Sequence, residues 1–264
     1  MPYLYETHLH TSQTSACGAS RGREYIQGYK QLGYTGIIVT DHFYGGNCTV
    51  NRNLPWREFV NQFCRGFEDA RDEGARQGLD VFFGWEETFD GDDYLVYGLG
   101  REWLMEHPEA AHWSRREQYQ AVREAGGCVV QAHPFRQHFY ISGITLSPYL
   151  VDGIEAANAG NHEQSYDALA MRYAKKLGLP VTAGSDIHET GQLEARGVFG
   201  VYLDKKMKNI ADYVAAIKGN AIAGLKMSPG RCDSRGNETV SLPVEILDAD
   251  GRDTGQDLWD FLKN

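Results

Sequence analysis

Two histidines stand two residues apart near the start of the chain, in Glu6-Thr7-His8-Leu9-His10. The Tyr3-Leu4-Tyr5 run before them predicts a β-strand. Residues i and i+2 of a strand face the same way, so both imidazoles can reach one cation. Four later patches share the same form, a metal-ligand residue where an apolar run ends: Asp41-His42, Glu86-Glu87, His133 and Asp186-Ile187-His188. A single histidine after a strand carries little information, whereas five such patches at one pole of a fold specify a metal site. Mixed imidazole and carboxylate ligands suit Zn, Mn or Fe. Glu86 is the candidate bridge, because two cations about 3.5–4 Å apart can clamp a phosphoryl oxygen and activate a water. Its neighbour Glu87 fits a solvated loop carboxylate better.

Such a site needs strands that end together. Residues 35–40, 79–85, 128–132, 151–156 and 179–184 are apolar runs of strand length, as in parallel strands covered by helices on both faces. Helical spacing predicts helices over 23–33, 56–76, 114–125, 162–177 and 210–218. The second of these has Phe59, Phe63, Phe67 and Ala70 on one face. Asp90-Gly91-Asp92 reads as a turn before a strand over 94–99, and further strands are expected over 197–203 and 221–225. Residues 101–112 fit neither pattern. The tail from Ser228 is polar and Gly-rich, with one apolar patch over 242–247, and reads as a hairpin-like appendage. The β-α alternation predicts a parallel sheet with crossover helices. Functional groups gather at the carboxyl ends of the strands in parallel barrels, where these ligand types fall.

The composition is that of one globular α/β chain: 264 residues, 42% hydrophobic and 23% charged, with enough apolar surface for a sizeable core. A formal net charge of -10 disfavours a general nucleic-acid coat or an anionic-membrane surface, both of which want a basic face. The five cysteines form no CxxC pair, which excludes a disulfide framework and suggests a reducing compartment. No long apolar run and no basic-then-apolar leader is present, so a cytoplasmic protein with no membrane partner is expected. Oligomeric state is not legible.

The patches, taken as an ordered set over residues 1–205, resemble the PHP family of metal-dependent phosphoesterases, named for polymerase and histidinol phosphatase. His8-Leu9-His10-Thr11 matches the first motif, Thr40-Asp41-His42 the second and Gly84-Trp85-Glu86 the third. Ala132-His133-Pro134-Phe135 and Gly184-Ser185-Asp186-Ile187-His188 match the later ones. The resemblance implies a distorted (β/α)7 barrel over residues 1–225, with residues 226–264 as a short C-terminal extension packed on it. It also implies a centre of two or three divalent cations. One would take His8, His10, Glu86 and Asp186; a second would share Glu86 and take His133; a third would take His42 and His188. Members usually carry a further His or Asp shortly after the first motif, where this chain has Ser12 to Cys17, with Cys17 a conceivable soft substitute. They also usually place a His after the bridging Glu, where Asp93 is the substitute ligand here.

Other residues are candidates on their position alone. Arg136 has the fork geometry to grip a phosphate, and Arg196 is a poorer choice for the same role. Asn158 and His162 follow a strand and are placed to line a substrate pocket, while His107, His112 and His138 read as ordinary. Asp41 is placed to orient an imidazole or handle a proton. The expected reaction is hydrolysis of a phosphate ester, a small phosphorylated metabolite or nucleotide, by a metal-activated water. His42 or His188 would then serve the leaving group. Two alternatives remain open: an amidohydrolase-like metal hydrolase, and a non-catalytic metal-binding regulatory domain. The amidohydrolase barrels also begin with HxH, but they usually carry a bridging Lys where this chain has Glu86.

Overall fold

The strands are short, and their residues are buried on both faces, so the chain must cover them from outside. A computed structural model describes residues 2–195 and 197–263. In order, the elements begin β1 (Tyr3–Glu6), α1 (Gly22–Gln31), β2 (Gly36–Val39), α2 (Trp56–Phe63), α3 (Arg65–Gln77), β3 (Asp80–Phe89) and β4 (Asp92–Tyr97). They continue α4 (Arg101–Glu106), α5 (Arg115–Glu124), β5 (Cys128–Gln131), β6 (Ile144–Leu146), β7 (Gly153–Asn158), α6 (Gln164–Leu177) and β8 (Val181–Gly184). The last are α7 (Gln192–Ala195), β9 (Gly200–Leu203), α8 (Ile210–Lys218), β10 (Gly224–Lys226), β11 (Val244–Ile246) and α9 (Leu258–Leu262).

The main sheet has the order β10-β9-β1-β2-β3-β4-β5-β7-β8 and curls until β8 packs beside β9, a nearly closed barrel. The Ser185 hydroxyl stitches the seam by accepting from Phe199 N at 2.9 Å. Neighbours β1–β2–β3 and β5–β7–β8 are parallel, as expected. Two strands run the other way: β4 is antiparallel to β3 and β5, and β9 is antiparallel to β1. The reason for the first lies in the sequence. Asp90 and Gly91 have φ of 54° and 95°, the two positive values that a tight two-residue hairpin requires. Strand β3 therefore runs on past Glu86 to Phe89 instead of ending there. Glu87 is buried within it and accepts from Gly45 N at 2.6 Å, so it is not the solvated carboxylate that its position in the sequence suggested.

Helices pack outside the barrel. Phe59, Phe63 and Ala70 are buried on the face the spacing predicts, but the single long helix is broken at Cys64 into α2 and α3. The break lets α3 approach the loop after β1: a Cβ on Gly66 would run into Thr11 and Asp41. The tail does not fold on itself alone. Strand β11 pairs in parallel with β6, and Leu258, Phe261 and Leu262 of α9 join the core beside Tyr173. Among the described residues no helix is long and apolar enough to cross a membrane.

Candidate metal centre

The carboxyl ends of β1, β5 and β8 and the middle of β3 bring His8, His10, Glu86, His133 and Asp186 to one point. His8 Nε2 lies 3.1 Å from His10 Nε2 and 3.1 Å from Glu86 Oε1. His10 Nε2 lies 3.4 Å from Glu86 Oε2 and 3.2 Å from Asp186 Oδ1. Ligands about 2.0–2.2 Å from one cation stand roughly 3–3.5 Å apart, so this spacing is that of a coordination sphere. His133 Nε2 reaches Glu86 Oε1 at 3.4 Å, and His42 Nδ1 reaches Glu86 Oε2 at 2.9 Å. His188 groups with His10 and His42, and Asp93 groups with His42 and Glu86. Both Glu86 oxygens are buried with no hydrogen-bond partner. A buried carboxylate without donors is costly unless a cation satisfies it.

Second partners fix which nitrogen of each ring faces the cluster. The His8 Nδ1–H donates to Glu155 Oε1 at 2.9 Å, so Nε2 is the atom that would turn a lone pair to a cation once its proton is lost. Ser15 Oγ spends its one proton on Asp41 Oδ1 at 2.6 Å. It must therefore accept from His42 N at 3.0 Å and from His10 Nδ1–H at 3.2 Å. His10 Nε2 is thus bare. His188 Nδ1–H donates to the Asp186 carbonyl at 2.9 Å. Asp41 accordingly touches no imidazole; it orients His10 through Ser15 and takes Thr11 N and Oγ1 at 2.6 and 2.7 Å. Glu155 and Ser15 were not singled out by sequence reasoning.

The backbone is bent to the same purpose. His133 and Asp186 have φ of 29° and 51°, values a non-glycine residue adopts only when its surroundings impose them. Asp186 is held there by its N–H to His8 O at 2.9 Å. Gly184 just before it packs against His8, and a Cβ at that position would run into the His8 side chain and Glu155.

Burial alone would push Glu86 and Asp186 up. The His8 and His42 charges outweigh it at Glu86, as Arg136 and His8 do at Asp186, and hold both carboxyls well below the usual range. Burial, with His42 and His188 alongside, lowers His10 to about 3, so that ring is neutral. His8 and His42 are raised despite burial, by Glu155 and Glu86 in the first case and by Glu86 in the second. The anionic cluster thus draws protons onto two of its rings, and a divalent cation binding there must expel them. Cation binding is therefore expected to release protons at neutral pH and to tighten as pH rises. Calorimetry in buffers of different ionisation enthalpy measures the release.

The PHP_C family model, described as PHP-associated, matches residues 166–218. A two-domain protein from Bacteroides vulgatus, containing a predicted PHP-like metal-dependent phosphoesterase, has the same fold at TM-score 0.63 and 16% identity. The fold is PHP-like. The alignment covers 84% of this chain but 64% of the Bacteroides protein, so this chain spans under two thirds of that relative. PsfC from Pseudomonas syringae aligns at TM-score 0.56 and 16% identity, over 87% of this chain and 93% of its own. A candidate metal-dependent phosphoesterase from Bifidobacterium adolescentis aligns at TM-score 0.51 and 17% identity, over 82% and 96%. No curated protein matches in sequence. The family resemblance read from the motifs stands.

In this PHP-like barrel the two departures from the family pattern fall inside the site. Asp93 lies 3.8 Å from His133 Nε2 and in one group of candidate ligands with His42 and Glu86. Cys17 lines the mouth with His42 and His188. Cys17 is exposed; desolvation by its neighbours opposes ionisation of its thiol, but hydrogen bonds with His188 and His42 prevail and lower it to about 7. The thiols of Cys48, Cys64, Cys128 and Cys232 are all pushed up by burial. Because the thiolate is the nucleophile, alkylation of the folded, metal-free protein near pH 7 is expected at Cys17 alone, which peptide mass spectrometry would read. Arg196 lies outside the described residues.

Proposed function

We propose that the protein hydrolyses phosphate esters of small molecules with two or three divalent cations, Zn, Mn or Fe. The observation that carries this reading is Glu86: a buried carboxylate with both oxygens unpartnered and ringed by four imidazoles. His8, His10, Glu86 and Asp186 would hold one cation. Glu86, His42 and Asp93 would hold a second, with His133 bearing on the shared edge and His188 completing a third group with His10 and His42. Cations held there supply polarisation of a phosphoryl oxygen and a lowered pKa for water.

The chain's own groups do the rest. Arg136 is nearly buried and set at the rim by Asn161 Oδ1 at 2.8 Å and Asn158 Oδ1 at 2.9 Å. It pairs with Asp186 Oδ2 at 2.7 Å, and its planar fork suits a phosphate. His188 or His42, where not committed to a cation, would carry the proton to the leaving oxygen. The mouth is a cavity of about 450 Å³, room for a metabolite and not for a wide interface.

The extension is part of this unit in our reading. Arg231 pairs with Asp167 and donates to Asn161 O at 2.7 Å and Asn158 O at 3.2 Å. It therefore holds the loop that aims Arg136. Arg231→Gln is expected to weaken inorganic phosphate binding by about tenfold, the loss of one charge-assisted anchor, as calorimetry on the metal-loaded protein would show. A substrate panel tests the main reading: alkyl and aryl phosphates should be turned over, and amides and lactones should not. The reverse pattern would favour the amidohydrolase alternative.

A further inference from the structure

Beside the metal centre, across Arg136, Asp186 and His188, lies a second cavity of about 340 Å³. Beyond that shared rim its walls are Gln137, His138, Tyr140, Gly160, His162 and Tyr166. We propose that this cavity is the leaving-group subsite and that it takes an uncharged planar ring; the proposal rests on the phosphoesterase reading of the adjoining centre.

Four of the wall residues carry rings. His138 stands 4.5 Å from Tyr140 and 6.0 Å from His162, centroid to centroid. Tyr166 is tied to the wall by its hydroxyl, which donates to Gln137 O at 3.3 Å. Tyr140 lines both cavities, so it spans the passage from phosphate to leaving group. Next to it, Phe139 is 93% exposed and Tyr140 64% exposed, packed against His138 and each other. His138 and Tyr140 on the cavity, with Phe139 packed against both, do nothing for the core. Exposed apolar groups clustered in this way mark a binding surface.

The charge pattern narrows the ligand. Among the described residues, histidines aside, the charged side chains on this cavity are Arg136 and Asp186 of the rim, already paired with each other. A second phosphate or a strand of nucleic acid would find no unpaired lysine or arginine among the described residues that line it. A sugar would find the Gln137 amide already committed to Thr239 and Ser241 and a single carboxylate, Asp186, already paired with Arg136. A neutral ring finds faces to stack on, and stacking of this kind is worth about tenfold or more in affinity.

The test uses non-hydrolysable probes with the full-length, metal-loaded protein: benzylphosphonate, cyclohexylmethylphosphonate and ethylphosphonate, compared by calorimetry. Benzylphosphonate is expected to bind at least about tenfold tighter than the other two, and His162→Ala and Tyr140→Leu are each expected to shrink that ratio. Equal binding of benzyl and cyclohexylmethyl probes, or of all three, would overturn the ring subsite while leaving the phosphate site intact. If none of the three binds, the phosphoesterase reading falls and the subsite with it.

Discussion

Glu86→Gln is expected to lower turnover of a phosphate ester at least about a thousandfold and to remove bound metal in the same step. The carboxylate is shared: its oxygens lie within 3.1 Å of His8, 2.9 Å of His42 and 3.4 Å of both His10 and His133. An amide of the same shape offers one weak oxygen and turns an NH2 donor toward nitrogens whose lone pairs serve a cation. It also deletes the charge that raises His8 and His42, so the proton release on cation binding should shrink. The fold should survive, because the substitution is isosteric. Metal analysis and a turnover assay on the purified variant measure both effects; wild-type turnover would remove Glu86 from the centre.

Glu155→Gln is expected to weaken cation affinity by roughly 10–100-fold without replacing a ligand. Glu155 is fully buried in β7. Its Oε1 accepts from His8 Nδ1–H at 2.9 Å, and its Oε2 accepts from His133 N at 3.2 Å and Asn158 Nδ2 at 2.8 Å. All three partners are donors, so only a group that accepts on both sides fits. A glutamine that keeps its oxygen on His8 turns its NH2 against two other donors, and each buried unpaired group costs about 1–3 kcal/mol. A glutamine turned the other way forces the His8 proton onto Nε2, the atom the cation needs. Competition titration with a metal chelator would read the affinity, and thermal unfolding of the metal-free protein would read the packing cost separately.

The contrast between these two residues shows what was legible in the sequence. Glu86 follows an apolar run and belongs to a series of strand-end ligand types, so its neighbourhood could be read along the chain. Glu155 sits inside an apolar strand whose other residues read as core, and nothing local says that His8, 147 residues away, needs its oxygen. Ser15 is hidden in the same way: its role comes from a proton count among Asp41, His10 and His42. The parallel half of the barrel was readable because buried strands with crossover helices have one pattern. The reversal at β4 was marked by Asp90-Gly91, which read as a turn, but its two positive φ values are a property of the folded hairpin. Residues 101–112 stayed ambiguous because α4 is short and leads into a brief 3-10 turn over Pro108–His112. The pairing of β11 with β6 joins segments about a hundred residues apart, and Arg231 reaches Asn158, Asn161 and Asp167 by a separate non-local contact.

The account turns on cations held where His8, His10, Glu86 and Asp186 converge. Anomalous diffraction from crystals grown with Zn or Mn and soaked in phosphate locates them directly. The account predicts at least one strong peak about 2.0–2.3 Å from His8 Nε2, His10 Nε2 and a Glu86 oxygen, with a phosphate between that ion and Arg136. A map with the protein ordered, the metal present in solution at high concentration and no peak among those side chains would contradict it.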